Sequence, residues 1–229
     1  MSAGTTIASL VLLSAVATVA GWLWLKQQQT RQREAFQALA ARRGWSLTIT
    51  EQKLGRPAIL RLTARSGRGW HCESQAPAGS DTGRSAYLTT EFTAADPHWP
   101  EGYLVLGPGP SAGTDLESTA VMVPKGKSTL TMADRIGQAL PDGVKAQLDG
   151  YFSVPGLTVQ ATCDPLQRFD MAELAKLMSG WQMQQANIDG QPVLHIGPEG
   201  FRLQVGHGMR RADQMETFID FALAIIRVI

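Results

Sequence analysis

The segment IASLVLLSAVATVAGWLWLK, residues 7–26, decides the architecture that we predict for this chain. No charged residue occurs from Ile7 to Leu25, and Lys26 ends the apolar run. At about 1.5 Å of rise per residue, a helix of this length matches a hydrocarbon core of roughly 30 Å. The sequence therefore predicts a transmembrane anchor at residues 1–26 of a single-pass protein of the cell membrane.

The charges that flank this span predict its orientation. No Lys or Arg precedes it, and five basic residues follow it: Lys26, Arg31, Arg33, Arg42 and Arg43. The positive-inside rule then places the N-terminus outside and the C-terminal domain in the cytoplasm. The predicted membrane-interface residues are Trp22, Trp24, Lys26, Arg31 and Arg33. A signal peptide cleaved near Ala17 is the alternative, but the basic n-region of such a peptide is missing.

Small residues recur along one side of the span. Ser14, Ala17, Thr18 and Gly21 share a helical stripe with Leu10, and both Ser14-x₃-Thr18 and Ala17-x₃-Gly21 are small-x₃-small pairs. Such pairs let two helix backbones approach closely in lipid, which allows a homodimer through the membrane helix. The alternative is an incidental stripe, because these residues are also common in monomeric spans.

Composition narrows the classes of partner. The chain has 21 basic and 20 acidic residues and no long basic tract, so nucleic acid is not an expected partner. Cys72 and Cys163 belong to no CxxC pair. In a cytoplasmic domain they are expected to be reduced core residues.

Periodicity predicts an α+β protein with mainly antiparallel strands and packed helices. A juxtamembrane helix at 27–44 ends at Gly44, and a soluble α+β domain follows at 45–229, with 30–125 and 126–229 as sub-units that the sequence suggests. Further helices are predicted from Thr131, from Asp170 to Gly180, and from about Arg211. Strands are predicted at 45–50, 58–63, 70–74, 87–92, 103–106, 120–123, 151–154, 157–162, 183–188, 192–196 and 201–205.

A faint repeat accompanies these elements. Each of Gly44-Trp45 and Gly180-Trp181 follows a helix and precedes three predicted strands, which suggests two helix–three-strand units. Trp45 and Trp181 are expected to be buried where each helix meets its sheet. Platforms for a ligand are the alternative use of the two rings.

Several short segments match motifs of catalytic or ligand-binding sites, but each lacks a residue or a neighbouring element that the site requires. Gly107–Ala112 fits G-x-G-x-x-A and Gly109–Gly113 fits the G-x-S-x-G pattern around Ser111, but both lack the helix that each site needs. Gly126–Thr129 lacks the first glycine of a P-loop. His71 and Glu73 have no P-C-x-x-C partner, and the four histidines have no metal spacing. We therefore assign no catalytic, cofactor-binding or metal residue.

The sequence predicts a membrane anchor and contains no complete catalytic motif. It therefore favours a non-enzymatic interaction or structural module. Its expected partners are the lipid bilayer and an unidentified protein. A membrane-tethered hydrolase that uses Ser111 or a His is the first alternative. A sensor of lipid or of a small ligand beside the membrane is the second.

Overall fold

The described elements form an α+β arrangement of one antiparallel sheet and three helices, as predicted. The structure is a computed structural model that describes residues 3–50, 58–65, 69–75, 89–95, 102–108, 151–154, 157–162, 169–184 and 192–229, without the side chains of 3–15, 108, 151–154, 158 and 182–184. Within these residues the elements are α1 Ala3–Arg43, β1 Trp45–Thr50, β2 Ile59–Ala64, β3 Trp70–Gln75, β4 Thr90–Ala94, β5 Leu104–Pro108, β6 Tyr151–Val154, β7 Leu157–Ala161, α2 Met171–Gln184, β8 Val193–Gly197, β9 Gly200–Val205 and α3 Ala212–Val228.

One antiparallel sheet contains all nine described strands, in the order β1-β2-β3-β4-β9-β8-β5-β7-β6. The first four form a meander, and β4 then pairs with β9 from the end of the chain. β5 lies between β8 and β7, so residue ranges 30–125 and 126–229 contribute interleaved strands to the same sheet. The predicted antiparallel character is confirmed.

A row of apolar side chains crosses the sheet on the face that the helices cover. Cross-strand register aligns them from β2 to β7, and each is fully buried: Leu62, Cys72, Phe92, Leu203, Leu194, Leu106 and Val159. Aromatic rings form a second line, with centroid separations of 5.2 Å for Trp45–Trp70, 5.2 Å for Trp70–Phe92 and 5.9 Å for Phe92–Phe201. Aromatic pairs at these separations add to the stabilisation by buried area.

Helix α1 is continuous over 41 residues and about 60 Å. The predicted continuity of residues 27–44 with the preceding helix is therefore confirmed, and Gly44, at φ +67°, ends it. Among the residues whose side chains the structure describes, no helix is long and apolar enough to cross a membrane. Of the predicted span, Ile7–Ala15 lies outside those side chains.

The second half of the chain departs from prediction at α2. Gly180 was expected to end this helix, but α2 continues to Gln184, so the strand predicted at 183–188 is wrong at its first two residues. Trp181 is buried as predicted, and its ring packs against Phe218 and Phe221 of α3. Residues 185–191, the strand at 120–123 and the helix from Thr131 lie outside the described residues, and the helix–three-strand repeat stays a prediction.

Candidate functional site

The predicted membrane-interface residues lie on an exposed part of α1. Every described residue from Val16 to Ala35 is exposed. The large apolar side chains among them are 54–60% exposed: Val16, Val19, Trp22, Leu23, Trp24 and Leu25. At 100° per residue these side chains surround the whole circumference of the helix. We call residues 16–25 the apolar segment.

The apolar segment ends where the prediction places the interface. The Lys26 ammonium lies 4.6 Å from the centroid of the Trp22 ring, which is a cation–π contact. Arg31 and Arg33 follow on the exposed polar part of the helix. An aromatic ring beside a cation at the end of an apolar run is typical of a headgroup boundary.

The small-residue stripe is open where it is described. Ala17, Thr18 and Gly21 are exposed, and a Cβ added to Gly21 meets nothing within 4 Å. Ser14 lies outside the described side chains. The structure therefore leaves room for a second helix along the described part of the stripe.

The other end of α1 is fixed to the domain. Phe36, Leu39 and Ala40 are buried in the core. Arg42 Nη2 lies 2.5 Å from Glu216 Oε2 on α3, and Arg43 pairs with both Glu216 (Nε–Oε1, 3.2 Å) and Asp220. Two of the four arginines in the predicted basic flank, Arg42 and Arg43, therefore contact α3.

The Arg43 guanidinium also lies 5.0 Å from the Trp45 ring centroid, across the Gly44 turn. This contact and the ion pairs link the end of α1 to both β1 and α3.

The sheet face opposite the helices carries alternating charges, and we call it the polar face. It presents Arg61, His71, Glu73, Glu91 and Arg202, whose side chains are 20–51% exposed. Arg61 forms an ion pair with Glu73, and Arg202 Nε lies 3.4 Å from Glu91 Oε1. Each of these four charges therefore has a partner of opposite sign on a neighbouring strand.

The strand containing His71, Cys72 and Glu73 confirms the predicted alternation. His71 Nε2 lies 3.1 Å from the Thr93 hydroxyl and 3.9 Å from Glu73 Oε1 on the polar face. Cys72 points into the core, where burial, followed by the charges of Glu73 and Glu91, raises the pKa of its thiol well above the usual value. Cys72 is free and stays protonated, as a reduced core residue should; Cys163 lies outside the described residues.

His195 is the one buried polar side chain in the described structure that has an unpaired atom. It is 5% exposed, and its Nε2 has no hydrogen-bond partner. Its ring stacks on Tyr103 with centroids 5.9 Å apart. Burial first, then the Arg202 guanidinium, lowers the pKa of His195 from 6.5 to about 4, while Glu199 acts in the opposite direction. The imidazole is therefore neutral at pH 7.

Tyr103 covers this histidine because the backbone beside it leaves room. A Cβ on Gly197 would lie 2.8 Å from the Tyr103 ring, so only glycine fits there. The pKa of Tyr103 is raised by burial, by the charge of Glu199 and by a hydrogen bond to that carboxylate. The Tyr103 ring thus packs against His195 and Gly197, with the Glu199 carboxylate beside it.

Two buried hydroxyls on the helix-covered face bond to the backbone and to each other, with Thr90 Oγ1 3.2 Å from Ser74 Oγ. Ser74 Oγ donates to the Met209 carbonyl (2.9 Å), and Thr90 Oγ1 donates to the His207 carbonyl (2.8 Å) while it accepts from the Met209 N–H (3.0 Å). These bonds hold the connection between β9 and α3. The role of both hydroxyls is structural, and His207, half-buried in this connection, faces no described nucleophile.

The remaining sequence candidates are not assembled by the described residues. Ser111 and the rest of the Gly109–Gly113 loop lie outside them, as does Gly126–Thr129. No group of three or more metal-ligating side chains occurs in the part of the chain that the structure describes. The absence of an assigned catalytic or metal residue therefore stays a prediction.

Sequence reasoning missed the His195 cluster, although a local signal existed. The segment Gly197-Pro198-Glu199-Gly200 is a tight turn that pairs Gly197 with Gly200, and this register places His195 directly opposite Arg202. The partner Tyr103 directly precedes β5, more than 90 residues earlier in the chain, and no local pattern indicates it.

Comparison with known proteins gives no relative. No protein-family model, curated protein or solved structure matches this chain.

Proposed function

We propose that this protein is anchored in the cell membrane by the N-terminal half of α1 and that its folded domain is a non-enzymatic interaction or structural module. The observation that carries the anchor is the apolar segment, whose six large side chains are more than half exposed on all sides of the helix. Water-soluble surfaces rarely expose so large an apolar patch. A helix that is apolar all round is suited to lipid.

The residues at and after the C-terminal end of the apolar segment support the orientation. Trp22, Trp24 and Lys26 mark the boundary, and Arg31 and Arg33 continue the basic flank. The positive-inside rule then favours a cytoplasmic domain and an external N-terminus. A cytoplasm-active reporter fused after Ile229 should be active, and one that requires export should be inactive; the reverse pattern overturns this topology.

Extraction with alkaline carbonate tests the anchor directly. The full chain should stay in the membrane pellet, and the double variant Val16→Arg, Val19→Arg should move to the supernatant, because each Arg near the bilayer centre costs roughly 2.5–3.5 kcal/mol. Gln28→Arg with Gln32→Arg adds the same charge on the exposed polar part of α1 and should change nothing. A wild-type chain found in the supernatant contradicts the anchor.

The polar face is the surface that we assign to a protein partner. The helices cover the opposite face, and Arg61, Glu91 and Arg202 are half-exposed here. Charged contacts of this kind weaken as salt is raised. A partner cross-linked in membranes should be lost at high salt and in the charge-reversed variant Arg61→Glu, Arg202→Glu. A partner retained in both tests would contact another surface.

The same preparation tests the non-enzymatic proposal. A fluorophosphonate probe, which labels activated serines, should not react with the full chain in membranes. Labelling that disappears in Ser111→Ala would identify a serine hydrolase instead.

A further inference from the structure

Strand β1, Trp45–Thr50, is the outer strand at one end of the sheet. It pairs with β2 in an uninterrupted register of six residues, and no other described strand lies beyond it. In an antiparallel strand, alternate residues direct their N–H and C=O groups to opposite neighbours. About half of the backbone groups of β1 therefore point away from β2, and no backbone bond to them occurs among the described residues.

This strand lacks the features that keep sheet edges from pairing. Edge strands are protected by proline, by charged side chains, by bulges or by shortness. The sequence of β1, WSLTIT, contains no proline and no charge, and its register with β2 has no bulge. The strand at the opposite edge, β6, has only four residues.

The apolar side chains of β1 are incompletely covered. Leu47 and Ile49 point to the helix-covered face but are only half-buried, whereas Leu62, the partner of Leu47 on β2, is fully buried. On the other face Thr48 and Thr50 are exposed. A further strand beside β1 would cover Leu47 and Ile49 and leave the hydroxyls on the polar side.

We infer that β1 pairs antiparallel with β1 of a second copy of this chain, so that two sheets join into one. The register is fixed by the two faces, because only an even offset keeps apolar side chains together. The register centred on Leu47 places Leu47 opposite its own copy, Trp45 opposite Ile49, and Ser46 opposite Thr48. Every cross-strand pair then joins two apolar side chains or two hydroxyls, and no like charges meet.

A second copy fits this edge because a two-fold contact requires a surface that complements itself. A strand with a charged residue at its centre would place that charge against its own copy. The inference rests in part on the proposed anchor: a pairing of about five residues is weak in free solution, and confinement of the copies to one membrane raises their effective concentration.

Disulfide cross-linking in native membranes tests the register. In a Cys163→Ser background, where the remaining native thiol of Cys72 is buried, Leu47→Cys should form a dimer when copper phenanthroline removes two electrons and two protons from the paired thiols. Opposite Cα atoms lie roughly 4.5–5.5 Å apart, within disulfide range. Thr50→Cys is the matched control, because its copy would lie roughly 20 Å away. We expect roughly tenfold more dimer for Leu47→Cys.

Leu47 points toward the core, so its substitution can disturb the fold. A second pair of variants therefore tests the same register at positions on the polar face. Ser46→Cys and Thr48→Cys, both on the polar face, should cross-link to each other when differently tagged chains are co-expressed, more than either does to itself. Failure of both tests, or equal dimer from Thr50→Cys, overturns the inference. A mixed disulfide with a different protein would assign the edge to another partner and also overturns it.

The experiments can contradict the proposed anchor and the proposed pairing of β1 independently of each other. Dimer at Leu47→Cys in a chain that alkaline carbonate extracts from membranes supports the edge pairing and contradicts the anchor. A membrane-bound chain without this dimer contradicts the pairing alone.

Discussion

Acid should destabilise this protein through His195. The pKa of its imidazole is about 4 in the folded protein and 6.5 when the side chain is free in water. Between these values the unfolded chain binds a proton that the folded chain does not, so the free energy of unfolding falls as the pH falls. Above pH 6.5 both states are neutral at this position, and the contribution is fully present.

The magnitude follows from the difference between the two pKa values. A difference of one unit corresponds to roughly 1.4 kcal/mol, so the change from 6.5 to about 4 removes about 3 kcal/mol of stability. The physical source is the enclosed site, in which Tyr103 covers the ring, Nε2 has no partner, and Arg202 lies opposite on β9. An added proton there would be buried beside the Arg202 guanidinium, and the charge of Glu199 offsets only part of this cost.

The assay compares urea unfolding of the full detergent-solubilised chain and of His195→Gln, which cannot titrate, at half-unit steps from pH 4 to pH 8. Carboxyl groups also titrate in this range, so the informative quantity is the difference between the two proteins. That difference should be constant above pH 6.5 and should shift by about 3 kcal/mol in favour of the variant by pH 4. Parallel curves, or an imidazole pKa near 6.5 by NMR, would refute the reasoning.

Three further predictions concern stability and can be measured by circular dichroism in urea. Trp45→Ala and Trp181→Ala should each cost roughly 3–5 kcal/mol, because both rings are buried; losses under 1 kcal/mol would contradict their place in the core. Asp170→Ala should cost about 1 kcal/mol, because its Oδ1 accepts from the N–H groups of residues 172 and 173 at the start of α2, and Asp170→Asn should retain most of it. Gly197→Ala should destabilise by roughly 1–3 kcal/mol and displace Tyr103, since the added methyl would lie 2.8 Å from that ring; a wild-type midpoint would mean that the ring moves freely.

Local sequence signals predicted the first half of the sheet well. Alternation located β1 at its observed ends and β2 and β3 within one residue, and Gly44 ended α1. β4 was predicted at 87–92 but extends to Ala94, because that residue is paired with Trp70 on one side and Phe201 on the other. Such pairing is a tertiary effect that a local pattern does not contain.

The errors in the second half have the same origin. Gly180 is a good stop signal, yet α2 continues for four residues because Trp181 is held between Phe218 and Phe221 of α3. One part of the candidate site could also be predicted from local sequence, and the other part could not. The exposed residues of α1 were predictable from hydropathy, whereas the enclosure of His195 depends on a strand order that brings β5 beside β8.

The join between β4 and β9 has a consequence for biosynthesis. The ribosome makes β4 about 100 residues before β9, and at 5–20 residues per second that interval lasts roughly 5–20 s. Throughout it Phe92 faces an incomplete core. The nascent meander of β1 to β4 thus has one unpaired side until β9 has been made. Holding factors that act on nascent chains would find their substrate in this interval, and a stalled or truncated chain would persist there as an open sheet.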